Sequence, residues 1–314
     1  MLYLPTLVQN IQISFKDVDF PIEVPGLPPI PGIDLPDPLI DRSDISFNWF
    51  IQHSLRLQEA RGILINTCQE MEPAQIKALK EGKVMSAVEM TPSIYPVGLL
   101  IALSLSESEE KFEKEGCLKW LDCQPTSSIL FISFGSRGTL SENQIRELAL
   151  VLEASGQRFL WVLRKEPPPP TESTMTAEAD MREVLPKGFE NQTQDRGFVV
   201  DSWAPQIVVL SHPSTDGFLS HCGWNSMIES ILHGVLMITS PLFVEQRMTA
   251  FLLVKEMKVG IEAQKGADGL VKREEVERAV RELMEGEGGM EMKKGMAELS
   301  DNYLKDGKHH EKDF

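Results

Sequence analysis

Positive charge is scarce in this chain: 31 Lys and Arg stand against 47 Asp and Glu, for a formal net charge of −16. Nucleic acids are held by clustered Lys and Arg, and anionic membrane surfaces by polybasic segments. Neither is expected as a partner. Cysteine is scarce too. Cys68, Cys117, Cys123 and Cys222 have neither disulfide-framework nor metal-site spacing, which fits a reduced, cytoplasmic setting. Long apolar runs are missing: residues 97–105 (VGLLIALSL) fall far short of the roughly 20 residues that span a bilayer. Met1 is followed by LYLPTL, without a basic segment or a small-residue cleavage pattern, so no signal peptide is expected. No internal repeat or heptad pattern is present. The triplet Asn191-Gln192-Thr193 matches a glycosylation sequon of a kind common by chance.

What is present is the make-up of a globular protein, 42% hydrophobic and 25% charged over 314 residues, enough for two domains. Composition divides the chain into residues 1–108, a linker at 109–116, a domain at 117–285 and a polar tail at 286–314. The first region contains PIEVPGLPPIPGIDLPDPLIDR (21–42), whose prolines exclude a long helix or a central strand. A helical pattern follows at 45–60, then a strand-like run at 62–66 (GILIN) and a helix at 73–80 opened by Pro73. The acidic stretch at 104–115 (SLSESEEKFEKE) marks the linker.

The third region is the clearest. Residues 128–134 (SILFISF) read as a strand, and 135–138 as a turn. Ser141 is an N-cap with Gln144 three residues on, a capping box. Ile145, Leu148, Ala149 and Leu152 repeat at helical spacing, Gly156 ends the helix, and 159–163 (FLWVL) is the next strand. This βαβ unit predicts an α/β fold with a parallel sheet. After a loop containing Pro167–Pro170 the alternation resumes, with strands at 198–200, 217–219 and 235–238. Helices are expected at 205–210, 225–232, 246–257 and 274–284.

Residues 203–246 gather the groups that hold a nucleotide, a diphosphate and a sugar. Trp203 offers an aromatic face to a flat base. The backbone at Ala204 and the side chain of Gln206 supply hydrogen bonds to a ring edge or ribose. His221 ends a strand just before Gly223-Trp224-Asn225-Ser226 opens a helix, whose unpaired N–H groups and dipole favour an anion. Gly223 lets the backbone approach closely, and Asn225 and Ser226 add donors. Glu229, one turn on, can chelate ribose hydroxyls. Glu245 and Gln246, a carboxylate beside an amide, suit adjacent sugar hydroxyls. Each residue alone would be ordinary core or surface; the combination at this spacing is not.

The stretch 203–246 resembles the signature box of the plant family 1 UDP-sugar glycosyltransferases. The likeness extends from about Gly26, through GLPPIP (26–31), DLPDPLIDR (34–42), EARGILINT (59–67), CLKWLDCQP (117–125) and SGQRFLWVLR (155–164). It is nearest to the branch that glucosylates small phenolics, flavonoids and hydroquinone. The resemblance implies a GT-B type fold of two Rossmann-like domains, with the acceptor-binding N-terminal one incomplete and the donor-binding one at 117–285. It implies a UDP-sugar site in which Trp203, with Ala204 and Gln206, holds uracil. His221, Gly223, Asn225 and Ser226 meet the phosphates, with Ser136 of Phe134-Gly135-Ser136 near them. Glu229 holds the ribose, and Glu245 and Gln246 the sugar. Trp224 and Gln246 are the forms associated with UDP-glucose. The implied reaction is inverting transfer of a hexose to a phenolic hydroxyl, by a monomer and without a metal cofactor. Asp17-Val18-Asp19 mimics a metal-binding triplet, but it precedes a Pro-rich loop without a surrounding ligand cluster and is read as chance; His309-His310 is read as a solvated tail rather than a metal site.

Three departures from the family pattern stand out. The family's general base is a His in a Gly-His turn after the first strand. The first His here is His53, inside a helix, so the chain resembles an N-terminally truncated member. Leu236 stands where Pro is usual and Ser240 where Trp is usual. Near the C-terminal end, Asp306-Gly307-Lys308-His309-His310 replaces a Gly-Ser-Ser element. The alternative expectation is therefore a donor-binding remnant that holds UDP-sugar without transfer. Apolar faces at 62–66 are expected to be exposed.

Overall fold

In a computed structural model, residues 1–85, 92–98, 100–101, 116–164, 181–201 and 203–310 are described. The linker read at 104–115 and the proline loop at 167–170 lie outside them. By internal contacts the chain divides into two compact units. The first comprises Met1–Ile101, Phe243–Glu256 and Glu298–Phe314; the second comprises Ala102–Leu242 and Met257–Ala297. The segment 243–256, inside the stretch read as one domain, thus clusters with the first unit.

The second unit is built on six strands: β3 (Ile129–Ser133), β4 (Arg158–Leu163), β5 (Gly197–Asp201), β6 (Thr215–Ser220), β7 (Leu236–Thr239) and β8 (Gly260–Glu262). They lie in the order β5-β4-β3-β6-β7-β8, and every neighbouring pair is parallel. This is the doubly wound order of a Rossmann-like domain. Every residue of β3 is buried, as a central parallel strand covered on both faces requires. Phe131 stacks on Phe218 with ring centroids 5.0 Å apart, and Trp161 meets Phe189 edge-on at 6.3 Å. The helix Arg273–Glu285 turns a buried stripe of Val276, Ala279, Val280 and Leu283 inward.

The helix Glu142–Ser155 begins and ends as its sequence predicts. Ser141 Oγ accepts the Gln144 N–H at 3.3 Å, and Gly156 takes φ +69°. The capping box is only half made, however. The Gln144 side chain turns away and exchanges two 2.9 Å hydrogen bonds with the backbone of Val271. A buried amide satisfied at both ends by a loop outcompetes a single return bond to the cap.

In the first unit, β1 (Gly62–Ile65) and β2 (Ser93–Pro96) form a two-stranded parallel sheet. Leu64 and Tyr95 are paired in register and are 73% and 53% exposed. The Pro-rich stretch contains no helix longer than the single turn Asp37–Ile40. It folds over a core of Leu4, Leu7, Phe15, Ile22, Ile30, Leu35, Leu39 and Phe47. Arg42 ties this region together. Its guanidinium donates to the carbonyls of Ile13 (2.9 Å), Val8 (3.0 Å) and Ile11, and lies 5.3 Å from the centroid of the Phe47 ring. The helix expected at 246–257 runs from Gln246 to Phe251 and then widens into a π-turn, Leu252–Glu256.

The polar stretch from residue 286, read as a tail, is instead a helix, Glu287–His310. Cys68, Cys117 and Cys222 are buried and Cys123 is exposed; burial pushes the Cys68 thiol up to about 11. No helix among the described residues is long and apolar enough to cross a membrane.

Candidate functional site

In the second unit, β3 and β6 are neighbours, but the chain leaves them in opposite directions, towards β4 and towards β7. Connecting segments therefore part above their carboxyl ends and leave a crevice, the usual ligand position in an open α/β sheet. Ser133 and Ser220 are partners at those ends. Gly135-Ser136 follows one and His221-Cys222-Gly223 the other.

The imidazole of His221 lies between two glycines. A Cβ on Gly135, which has φ +73°, would come 2.6 Å from His221 Cε1, and a Cβ on Gly223 would come 2.6 Å from Nε2. The two glycines are therefore needed for different reasons. Gly135 must adopt a left-handed conformation and leave space. Gly223, at φ −62°, has only to leave space. His221 Nδ1 pairs with Ser220 Oγ at 3.3 Å, which also accepts the Cys222 N–H at 3.3 Å. Burial lowers the His221 pKa to about 4, so the ring is neutral near pH 7. Burial likewise holds the Cys222 thiol far above its ordinary range, and Cys222 itself has φ +63°.

Gly223 is the N-cap of the helix Trp224–Leu232 and supplies no side-chain cap. First-turn N–H groups of such a helix are left for an anion. Asn225 is exposed at this start, Trp224 is half-buried and Ser226 is buried. One turn on, the Gln206 amide nitrogen donates to Glu229 Oε2 at 2.6 Å and to Ser226 Oγ at 3.0 Å. Gln206 thus fixes both side chains. Burial raises the Glu229 pKa, opposed by the Gln206 hydrogen bond. Trp203 is 40% exposed and leads through buried Ala204 and Pro205 into the helix Gln206–Ser211.

Ser136, Trp203, Ala204, Gln206, His221, Gly223, Trp224, Asn225, Ser226 and Glu229 all belong to this unit. Direct contacts join His221 with Gly135 and Gly223, and Gln206 with Ser226 and Glu229. Ser136 is exposed in the turn after β3. Glu245 and Gln246 follow β7 but belong to the first unit, where Glu245 is exposed and Gln246 buried. Ser220 and the steric role of Gly135 were not singled out from the sequence; a glycine directly after the strand-like run 128–134 was the available signal. Among the described residues, no group of three or more His, Cys, Asp or Glu could hold a metal ion.

Against known proteins, a model of the family described as UDP-glucoronosyl and UDP-glucosyl transferase matches residues 109–302. UDP-glycosyltransferase 72B1 of Arabidopsis thaliana is 45% identical over 302 residues, covering 96% of this chain and 62% of that protein. The hydroquinone glucosyltransferase of Rauvolfia serpentina is 43% identical over 302 residues, covering 95% of this chain and 63% of that protein. Among solved structures, Phytolacca americana UGT2 complexed with UDP-2fluoro-glucose and pterostilbene superposes with a TM-score of 0.83 at 43% identity, covering 96% of this chain and 62% of that one. The chain thus spans 62–63% of the length of these relatives. Its α/β architecture of parallel sheets is the GT-B type of these neighbours.

Proposed function

We propose a function on the premise that this chain belongs to the UDP-glucoronosyl and UDP-glucosyl transferase family. It binds a UDP-hexose, glucose by preference, for transfer with inversion to a hydroxyl of a small phenolic acceptor. The names of its relatives mention hydroquinone and pterostilbene and suggest that acceptor class. The observation that carries the reading is His221, wedged between Gly135 and Gly223 beside an uncapped helix start at the switch point of the sheet.

Each residue has a role in this scheme. Trp203 stacks the uracil, with Ala204 and Gln206 beside it. The first-turn N–H groups of the helix Trp224–Leu232, with Gly223, Asn225, Ser226 and Ser136, take the diphosphate. His221, neutral when free, donates an N–H to a phosphate oxygen and stabilises the negative charge that develops there as UDP departs. Glu229, held by Gln206, takes the ribose hydroxyls. Glu245 and Gln246 take the hexose, and Trp224 favours glucose. No metal is implied, because the helix start and the side-chain donors around it stand in for one. The acceptor proton needs a base. His53 is exposed on its helix, 6.3 Å from the Trp49 ring, which is not a setting that activates a hydroxyl.

Isothermal titration with UDP tests the donor site: saturable binding is expected, and none at millimolar UDP would overturn the reading. A second assay offers UDP-glucose and hydroquinone. Binding of UDP without any glucoside would leave the donor site standing and remove the transfer.

A further inference from the structure

The loop that carries Glu245 and Gln246 is held in a conformation its own sequence resists. Val244 has φ +60°, a region in which the Cβ of a β-branched residue crowds the backbone. Its side chain is exposed, so burial does not keep it there. Asp37, 207 residues earlier, does. Val244 N–H donates to Asp37 Oδ2 at 2.7 Å, and Asp37 N–H donates to the Val244 carbonyl at 3.0 Å. Both backbone polar groups of the strained residue are therefore closed by one partner. The other carboxylate oxygen lies 3.5 Å from Arg247 Nη1, and Arg247 Nη1 also reaches the Ile33 carbonyl at 3.4 Å. Asp37 is itself set between Pro36 and Pro38, which restrict its backbone.

The turn so formed orients the two residues after it. Phe243 N–H donates to Gln246 Oε1 at 3.1 Å, so the turn fixes which end of the Gln246 amide faces the loop. Glu245 sits between, as the N-cap of the helix Gln246–Phe251. We infer that Asp37 is a positioning residue for the sugar receptor, holding Val244 in the left-handed turn that sets Glu245 and the Gln246 amide. This rests on Glu245 and Gln246 receiving the donor hexose, as proposed above. A carboxylate suits the task because its bond to a backbone N–H is charge-assisted, with a second oxygen left for Arg247.

Three variants separate positioning from folding. Asp37→Ala removes both carboxylate contacts, Asp37→Asn keeps one acceptor for the Val244 N–H, and D37A/V244G lets glycine adopt the same φ without a clamp. Each is titrated with UDP and with UDP-glucose, and hydrogen exchange of the Val244 amide is followed. Asp37→Ala is expected to weaken UDP-glucose about tenfold and UDP less than about twofold, the size of one lost charge-assisted bond felt only by the sugar. Asp37→Asn should fall between, D37A/V244G should regain most of the loss, and Val244 exchange should quicken in Asp37→Ala but not in Asp37→Asn. Equal loss of UDP and UDP-glucose in Asp37→Ala, or unchanged Val244 exchange, overturns the inference. Failure of the unmodified chain to bind UDP overturns the underlying reading instead, and exchange at Val244 then still decides whether Asp37 holds the loop.

Discussion

The two compact units achieve order by different means. In the second, six parallel strands place each residue through layers of packed apolar side chains, and β3 is buried throughout. In the first, the sheet has two strands, and much of the backbone is irregular. Its geometry depends on single polar side chains reaching to backbone groups: Arg42 on three carbonyls, Asp37 on Val244, and Asn66 on both polar groups of Leu100. A packed layer spreads the effect of a lost group over many contacts. A polar tie, once cut, leaves named donors or acceptors without a partner. Mutational sensitivity should therefore differ in kind between the units.

The strongest test is Trp161→Ala in β4, where the side chain is fully buried; a loss of about 3–5 kcal/mol is expected in urea unfolding. A loss below about 1 kcal/mol would break the picture of a close-packed sheet. Next, Arg42→Ala should cost about 2–3 kcal/mol by taking the guanidinium from the Ile11 and Ile13 carbonyls and from the Phe47 ring, and Arg42→Lys should recover little, since an ammonium cannot fork to several acceptors. At the candidate site, Gly135→Ala should cost about 2 kcal/mol of UDP binding by displacing the His221 ring. Titration calorimetry would show this as a fall of more than tenfold in affinity.

The fourth test uses pH. His221 titrates near 4 in the folded chain and 6.5 in the unfolded one. Below 6.5 the unfolded chain therefore takes up a proton that the folded ring refuses. Stability should fall between pH 6.5 and 4 and then level off, by about 1–2 kcal/mol after allowance for partial exposure. His221→Asn should lack that slope in pH-dependent melting. The smallest effect is expected at Leu64→Ser, within about 0.5 kcal/mol because the side chain already faces water. Light scattering should show reduced self-association instead, and a cooperative loss of several kcal/mol would show that β1 is packed after all.

Local signals made the βαβ unit and the helix boundaries legible. Ser141, the Ile145–Leu152 stripe and Gly156 state where a helix starts, faces and ends. The expected exposure at 62–66 is seen at Leu64. What stayed hidden was non-local or contrary to propensity. The strand order that makes a crevice between β3 and β6 depends on pairings no periodicity encodes. Gln144 left its capping box for Val271, 127 residues away. The helix Glu287–His310 contains Gly288, Gly289 and Gly295, which lower helix propensity and mimic a break. In β2 Pro96 masks a strand, and the pairing of Asp37 with Val244 has no trace in sequence spacing. The residue types of the donor box were legible as a set, but the caging of His221 by two glycines was not.

The placement of the thiols offers an experimental handle. Three of the four are shielded inside the protein, whereas Cys123 projects from the end of the helix Cys117–Asp122. A maleimide dye should therefore attach once per molecule, at a known point of the second unit, without any engineered cysteine. That single reporter would let movements on donor binding be followed by fluorescence in the native chain.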